Sequence, residues 1–168
     1  PRAARRSRTL PRMLRLRRAT PTDAATLASL RRFVHAPHVA AEPGVYAALE
    51  GAAAVAAMDE RLAGPGVVAV VAEHEDAPVG YVLAQVVRRA ASPLTVERSY
   101  LMVDELAVAA SARRLGVGRA LMAEAEAVAT ELGLARVELD VRAWNDGAAR
   151  FYTALGYAPF ATRLANGA

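Results

Sequence analysis

The chain has no cysteine among its 168 residues. Disulfides, thiolate metal centres and a cysteine nucleophile are therefore excluded, and any acyl transfer must be direct or use another nucleophile. No apolar run approaches the roughly 18 residues of a membrane-crossing helix, and no signal-peptide hydrophobic segment is present. The sequence thus gives no membrane partner and nothing that points outside the cytoplasm, which is the expected location. There is no internal repeat and no second domain, and 168 residues make one domain large enough to bury a core. No metal is expected either: His35 and His38 have an H-x-x-H spacing, but no third ligand stands nearby.

Negative charge is missing from the start of the chain. Residues 1–18 hold eight arginines and no acid, so the rest, with thirteen arginines against seventeen acids, is mildly acidic despite a net charge of +4. A basic arm for nucleic acid or an organellar presequence fits that start. The simpler expectation is a disordered leader over residues 1–12, or translated sequence ahead of a start at Met13, with a single domain over 13–168 and no nucleic-acid partner.

With 54% hydrophobic residues and alternating strand and helix patterns, an α/β domain is expected. Met13 to Ala19 reads as a first strand. Thr20-Pro21-Thr22-Asp23 signals a helix start, capped by Thr22 or Asp23, with the helix running to about Phe33 and Pro37 breaking the segment beyond it. Val45 to Leu62 reads as a second helix, closed by Gly64-Pro65-Gly66. Val67 to Ala72 and Val79 to Val87 form an antiparallel hairpin about His74 to Pro78. Arg88 to Pro93 is a polar loop.

Tyr100 to Leu121 organises the rest. A buried strand ending at Val108 passes a polar joint at Ala109 to Ser111 and a glycine turn, Arg113-Arg114-Leu115-Gly116-Val117-Gly118, into a helix with Val117, Leu121, Ala125, Val128 and Leu132 on one stripe. A helix start offers unpaired N–H groups and the positive end of its dipole to an anion. Glycine at 116 and 118 removes bulk, and Arg113, Arg114 and Arg119 add charge, so a phosphate or pyrophosphate is the expected ligand group. A nucleotide-triphosphate loop would need Gly-Lys-Ser/Thr where the chain has Gly118-Arg119-Ala120, and a dinucleotide fingerprint would need a small residue at Leu121.

Downstream, Val137, Leu139 and Val141 alternate with Glu138, Asp140 and Arg142 as a strand. A helix comes next, capped by Asn145 or Asp146 and stopped by Gly156. Tyr157 to Leu164 reads as a last strand.

Arg113-x-x-Gly116-x-Gly118, the strand end Leu106-Ala107-Val108, and Asn145-x-x-Ala148-x-x-Phe151-Tyr152-x-x-x-Gly156-Tyr157 agree in order and spacing with three conserved blocks. In these the chain resembles the GNAT superfamily of acetyl-CoA-dependent N-acetyltransferases, over roughly Leu14 to Leu164. The resemblance implies a mixed, mainly antiparallel sheet of six to seven strands with helices on both faces, in which the parallel strands ending near Val108 and Val141 splay apart. Acetyl-CoA would lie in that gap, its pantetheine arm pairing with backbone at Leu106, Ala107 and Val108 as an added strand would. Its pyrophosphate would sit on Arg113, Arg114, Leu115, Gly116, Val117, Gly118 and Arg119.

The implied activity is transfer of acetyl from acetyl-CoA to a primary amine on a small molecule or peptide, in a ternary complex. The alternative is a non-catalytic acyl-CoA-binding sensor or interaction module. An alkylammonium has a pKa of about 10.4, so a proton must leave before attack; the oxyanion needs a donor, and the departing sulfur benefits from an acid. Tyr152, at the family's tyrosine position, is the expected acid and borders the cofactor; packing beside Phe151 is its structural alternative. Asp104 and Glu105 are equal candidates for the base, and adjacent strand residues face opposite sides unless a bulge intervenes. Asn145 either bonds the cofactor arm or caps its helix, and Trp144 is expected to pack. Arg31, Arg32, Phe33 and Tyr46 belong to the region that shapes acceptor pockets in this family. Aminoglycosides, polyamines, amino acids and protein N-termini all stay open as acceptors. Many members form homodimers, which this sequence neither supports nor opposes.

Overall fold

The computed structural model describes residues 14–166, so the basic leader expected over 1–12 lies outside the described residues. Five strands form one sheet in the order β1 (Leu14–Arg18), β2 (Val67–His74), β3 (Ala77–Arg89), β4 (Arg98–Val108) and β5 (Val137–Leu139). All neighbours are antiparallel except β4 and β5, which run parallel. The β2–β3 connection is two residues, Glu75 and Asp76, both at positive φ (52° and 60°), and their twist suits a tight hairpin.

The helices cover both faces. α1 (Ala24–Ala41) and α2 (Gly51–Leu62) lie on one side, where Leu27, Leu30 and Met58 meet Val71, Tyr81 and Leu83. On the other, α3 (Val117–Glu131) buries Val117, Leu121, Met122 and Ala125 against Val70, Val82, Leu101 and Val103, and α4 (Asp146–Leu155) adds Phe151, Tyr152 and Leu155 at the margin. Two-sided cover explains why β2 and β3 read as continuous apolar runs.

Four expectations need correction. The sheet has five strands, not six to seven: Tyr157 to Leu164 forms none, Pro159 offers no N–H to a ladder, and Leu164 is 87% exposed. Pro37 does not break α1, which runs through it to Ala41. Glu42 N–H closes the helix on the His38 carbonyl (2.9 Å), and the Glu42 carboxylate accepts from Arg142 (2.7 Å) and from the Trp144 indole (2.9 Å), so tertiary fastening of this end outweighs the proline. The second helix starts at Gly51, not Val45; Gly51 sits at φ +60°, which is not helical, and residues 45–50 are irregular. β5 is likewise shorter than the expected 137–141.

The entry to α1 is built on a buried carboxylate. A short 3-10 turn (Pro21–Asp23) precedes the helix, and Asp23 accepts from the Thr20 N–H (2.7 Å) and from both terminal nitrogens of Arg17 (2.7 and 2.9 Å). Arg17 also donates to Glu73 (2.6 Å), tying β1 to β2. Its guanidinium holds the Asp23 carboxyl well below the usual range. The stability this adds is complete above the unfolded value of about 3.9 and is lost as pH falls through the folded one. Asp23→Asn should cost about 3 kcal/mol at pH 7 in urea unfolding, and the gap between parent and variant should narrow at pH 3.

Candidate active site

The sheet opens beside β4. Its last pair with β5 is Val103 with Leu139, and beyond it no described strand borders β4 on that side. Ala109 N–H donates to Val79 O across β3 (2.8 Å), whereas Leu101 N–H donates to Arg136 O at the β5 side (3.0 Å). Strand alternation then turns the main-chain groups of Leu106 and Val108 toward the gap and those of Ala107 toward β3. Ala107 is buried among the α1 and α2 contacts, while Leu106 and Val108 pack toward α3.

Asp104 is the hinge of this change. Leu83 pairs with Glu105 and Ala84 with Val103, so Asp104 is an extra residue, a bulge. Both carboxylates consequently reach the α1 and α2 side, where simple alternation would separate them. Glu105 has both oxygens engaged: Oε2 accepts from the fully buried Tyr81 hydroxyl, and Oε1 lies 2.8 Å from Arg31 of α1. Asp104 gives one oxygen to Arg61 of α2 (2.6 Å), and its side chain stays 27% exposed. Desolvation pushes the Asp104 carboxyl up; Arg61 opposes this, and the like charges of Glu105 and Asp140 reinforce it.

At the other end of the gap the chain passes from β4 through a 3-10 turn (Ala110–Ala112) into α3. Arg114 and Gly116 both adopt left-handed backbone values, φ +64° and +86°, and Gly116 is the N-cap. The first helical bond is Ala120 N–H to Gly116 O (3.0 Å), so the N–H groups of Val117, Gly118 and Arg119 precede the ladder, as in any helix start. The reversal at 114–116 gathers amides as a nest does. Arg113, Arg114, Leu115 and Arg119 are arrayed around it at least partly exposed, while Val117 anchors the turn in the core. Gly118 serves a different purpose from steric clearance for an anion: a Cβ there would stand 3.2 Å from the Phe151 ring, so the glycine lets α4 approach α3.

Asn145 caps α4, its Oδ1 accepting from Ala148 N–H (3.0 Å). Tyr152 lies beside Phe151 and Tyr157, with ring centroids 5.0 and 5.8 Å away. Burial pushes its phenol up to about 12, so it holds its proton at neutral pH. His35 and His38 are spent on Ala47 O (2.8 Å) and Val34 O (2.7 Å). Trp144 packs its ring edge-to-face against His38 and also donates to Glu42 (2.9 Å), which pairs with Arg142.

The residue pattern singles out Asp104, Glu105, Tyr152, Asn145 and the 113–119 turn; the fold sets both carboxylates against α1 and α2, packs Tyr152 in the cluster on the α3 side and makes Asn145 the cap of α4. The pattern gives no sign of Arg61, Tyr81 and Asp140 as neighbours of the carboxylates and no contact for Arg31. Only the period-two placement of Asp140 after Glu138 hints at its side of the sheet.

The model of the acetyltransferase (GNAT) family matches residues 31–157. The chain belongs to this family. As a GNAT domain it is an acyltransferase, and its five-stranded mixed sheet with four helices is the GNAT fold. No curated protein matches the sequence. A tetramutant of the BH1408 protein from Bacillus halodurans is similar at 22% identity with a TM-score of 0.85, covering 92% of this chain and 99% of that one. The aminoglycoside N-acetyltransferase AAC(6')-Iy, in complex with CoA, is similar at 17% identity and a TM-score of 0.72, covering 92% and 94%. The aminoglycoside acetyltransferase meta-AAC0020 from an uncultured soil metagenomic sample, in complex with sisomicin, gives 19% identity and a TM-score of 0.70, covering 93% and 97%. At these identities the likeness is one of fold. No described helix is long and apolar enough to cross a membrane.

The two glycines of the turn should respond differently to substitution. Gly116→Ala keeps free space around the new methyl but forces an L residue to φ +86°, at a cost of about 1–2 kcal/mol. A thermal melt should fall by about 2–4 °C for each kcal/mol. Gly118→Ala should instead displace the Phe151 ring, visible as altered aromatic NMR shifts of Phe151 and Tyr152.

Proposed function

We propose that this domain transfers acetyl from acetyl-CoA to a primary amine of a small molecule, by direct attack in a ternary complex. The observation that carries this reading is the continuity between the open edge of β4 and the amide-lined turn at the start of α3. An extended amide-bearing arm fits that edge as an added strand, with Leu106 and Val108 as its partners. A pyrophosphate fits the turn at its end, held by the amides about Gly116 to Arg119 and by the arginine side chains at 113, 114 and 119. Leu115 and Ala107 support the two halves without a polar side-chain contact of their own. The CoA complexes recorded for AAC(6')-Iy, one of them with a bisubstrate analogue, agree with this ligand.

Acetyl-CoA supplies the activated thioester carbonyl; the protein supplies position and proton control. Asp104 takes the ammonium proton, directly or through one water, because it sits on the bulge with an oxygen outside the Arg61 pair. Its upward shift brings it closer to a useful base strength. Glu105 is excluded from that step by the Tyr81 and Arg31 contacts that occupy both its oxygens. Main-chain N–H groups at the gap donate to the developing oxyanion. Tyr152 donates a hydrogen bond to the departing sulfur as the C–S bond breaks. With its pKa at about 12, above about 8.5 for a free thiol, the phenol shares its proton and solvent completes the protonation. Asn145, whose Oδ1 is spent on the cap, has its amide nitrogen left for the arm.

Thiol release with a panel of amines, run beside calorimetry of CoA binding, separates transfer from mere sensing: binding without release under every acceptor favours the sensor. Tyr152→Phe should lower kcat about tenfold or more with CoA affinity nearly unchanged, and an unchanged rate at all pH values would remove the phenol from the reaction. Gly116→Val should weaken CoA binding at least tenfold, and retained affinity would contradict the assignment of the turn. Asp104→Asn should cost at least a hundredfold in kcat. A raised carboxyl destabilises the fold increasingly as pH rises past the unfolded value of about 3.9, so this variant should unfold in urea at pH 7 no earlier than the parent.

A further inference from the structure

The inner stripe of α2 ends in a charge. Ala54, Met58 and Arg61 follow one another at helical spacing; the first two are buried, whereas Asp59 and Glu60 are exposed on the outer side. Arg61 is thereby carried to β4, where its Nη2 donates to Asp104 Oδ2 at 2.6 Å. α1 does the same with Arg31, one helical turn after the buried Leu27, whose Nη2 lies 2.8 Å from Glu105 Oε1. Both guanidinium charges are felt at the Tyr81 hydroxyl, so the two ion pairs belong to one group.

The pairs are completed to different degrees. Glu105 has no oxygen to spare, since the Tyr81 hydroxyl takes the other one. The Arg61–Asp104 pair is joined by one hydrogen bond and stays open, with 37% and 27% of the two side chains exposed. Among the described residues, Asp104 Oδ1 and the Nε and Nη1 of Arg61 make no hydrogen bond. The bulge holds Asp104 where the sheet opens beside β4. Solvent therefore meets a guanidinium and a carboxylate side by side, each with bonding capacity left and their charges cancelling. The like charge of Asp140 is felt at Asp104, which makes the Asp104 side the place for a cation.

We propose that the acceptor is a free α-amino acid, its ammonium on the open oxygen of Asp104 and its carboxylate on the remaining donors of Arg61. This rests on the transfer reading above and names its substrate class. An α-amino acid carries both charges on one carbon, so it matches a cation and an anion already in contact, and each end gains a charge-assisted hydrogen bond. Arginine suits the carboxylate end because its planar fork presents several N–H groups to one carboxylate. The ammonium end lies where the chemistry needs it, held by the group that is to take its proton. A plain amine leaves the Arg61 donors unused, and a peptide N-terminus offers them a neutral carbonyl in place of a carboxylate.

The test uses the full chain with acetyl-CoA and follows thiol release with the common α-amino acids, their α-carboxamides and decarboxylated amines, spermidine and kanamycin. The expected result is an α-amino acid whose kcat/KM lies at least tenfold above those of its own amide and amine and of both polyamines. Arg61→Gln should shrink the kcat/KM ratio between that acid and its decarboxylated amine at least tenfold. Both acceptors are read on one preparation, so the ratio is independent of how much of the variant is folded. A cation in the last turn of α2 also favours the helix dipole, but that role does not distinguish an acid from its amine. Amides or amines used as well as the acids, a higher kcat/KM for spermidine or kanamycin, or a ratio indifferent to Arg61→Gln overturns the proposal while leaving acetyl transfer intact. Absence of thiol release with every acceptor overturns the transfer reading, and this proposal with it.

Discussion

One extra residue in a strand governs this molecule. Without the bulge at Asp104, the alternation of β4 would carry its register unchanged to Val108 and send Asp104 and Glu105 to opposite faces. With it, both carboxylates lie under α1 and α2, and the main-chain groups that face the gap change from the odd residues Leu101 and Val103 to the even residues Leu106 and Val108. β5 stops pairing at the same level. An unpaired strand edge is ordinarily a liability; here it leads on to the start of α3.

The two acids are put to different uses by their neighbours. Glu105 is locked between a buried phenol and a guanidinium, which fixes β4 against β3 and α1. Removal of Arg31 would leave the Glu105 charge uncompensated, and removal of the Tyr81 hydroxyl would leave one of its oxygens without a donor. Asp104 is held on one side only and is reached by solvent. Adjacent residues of similar chemistry thus divide into one engaged through both oxygens and one engaged through a single oxygen.

The loops after α1 and after β5 are joined by ties across long stretches of chain. Glu42, at the end of α1, reaches Arg142 and Trp144 about a hundred residues away. This contact holds the irregular loop after α1 over the parting strands and accounts for the survival of α1 past Pro37. Family membership gives the reaction type and the fold, while the neighbours with aminoglycoside substrates share only architecture at 17–19% identity. Acceptor choice is therefore a property of side chains rather than of the fold.

Much of the fold was legible in the residues. The 3.6 period of Val117, Leu121, Ala125 and Val128 marked α3, the β-branched runs marked the β2–β3 hairpin, and Gly116 marked the helix start, because each of these signals is local. The cap at Asn145 belongs to the same class. Elements whose fate depends on distant contacts were misread: Pro37 carried a strong breaker signal that the Glu42 contacts outweigh, and Tyr157 to Leu164 had a strand's composition without a neighbour to pair with. By itself the sequence determined the order of elements, the amide-rich turn and the set of polar groups at the seam. Only the tertiary structure decided that Glu105 has both oxygens engaged while Asp104 keeps one outside its pair with Arg61. Strand register and ion pairing are long-range choices that no local pattern encodes.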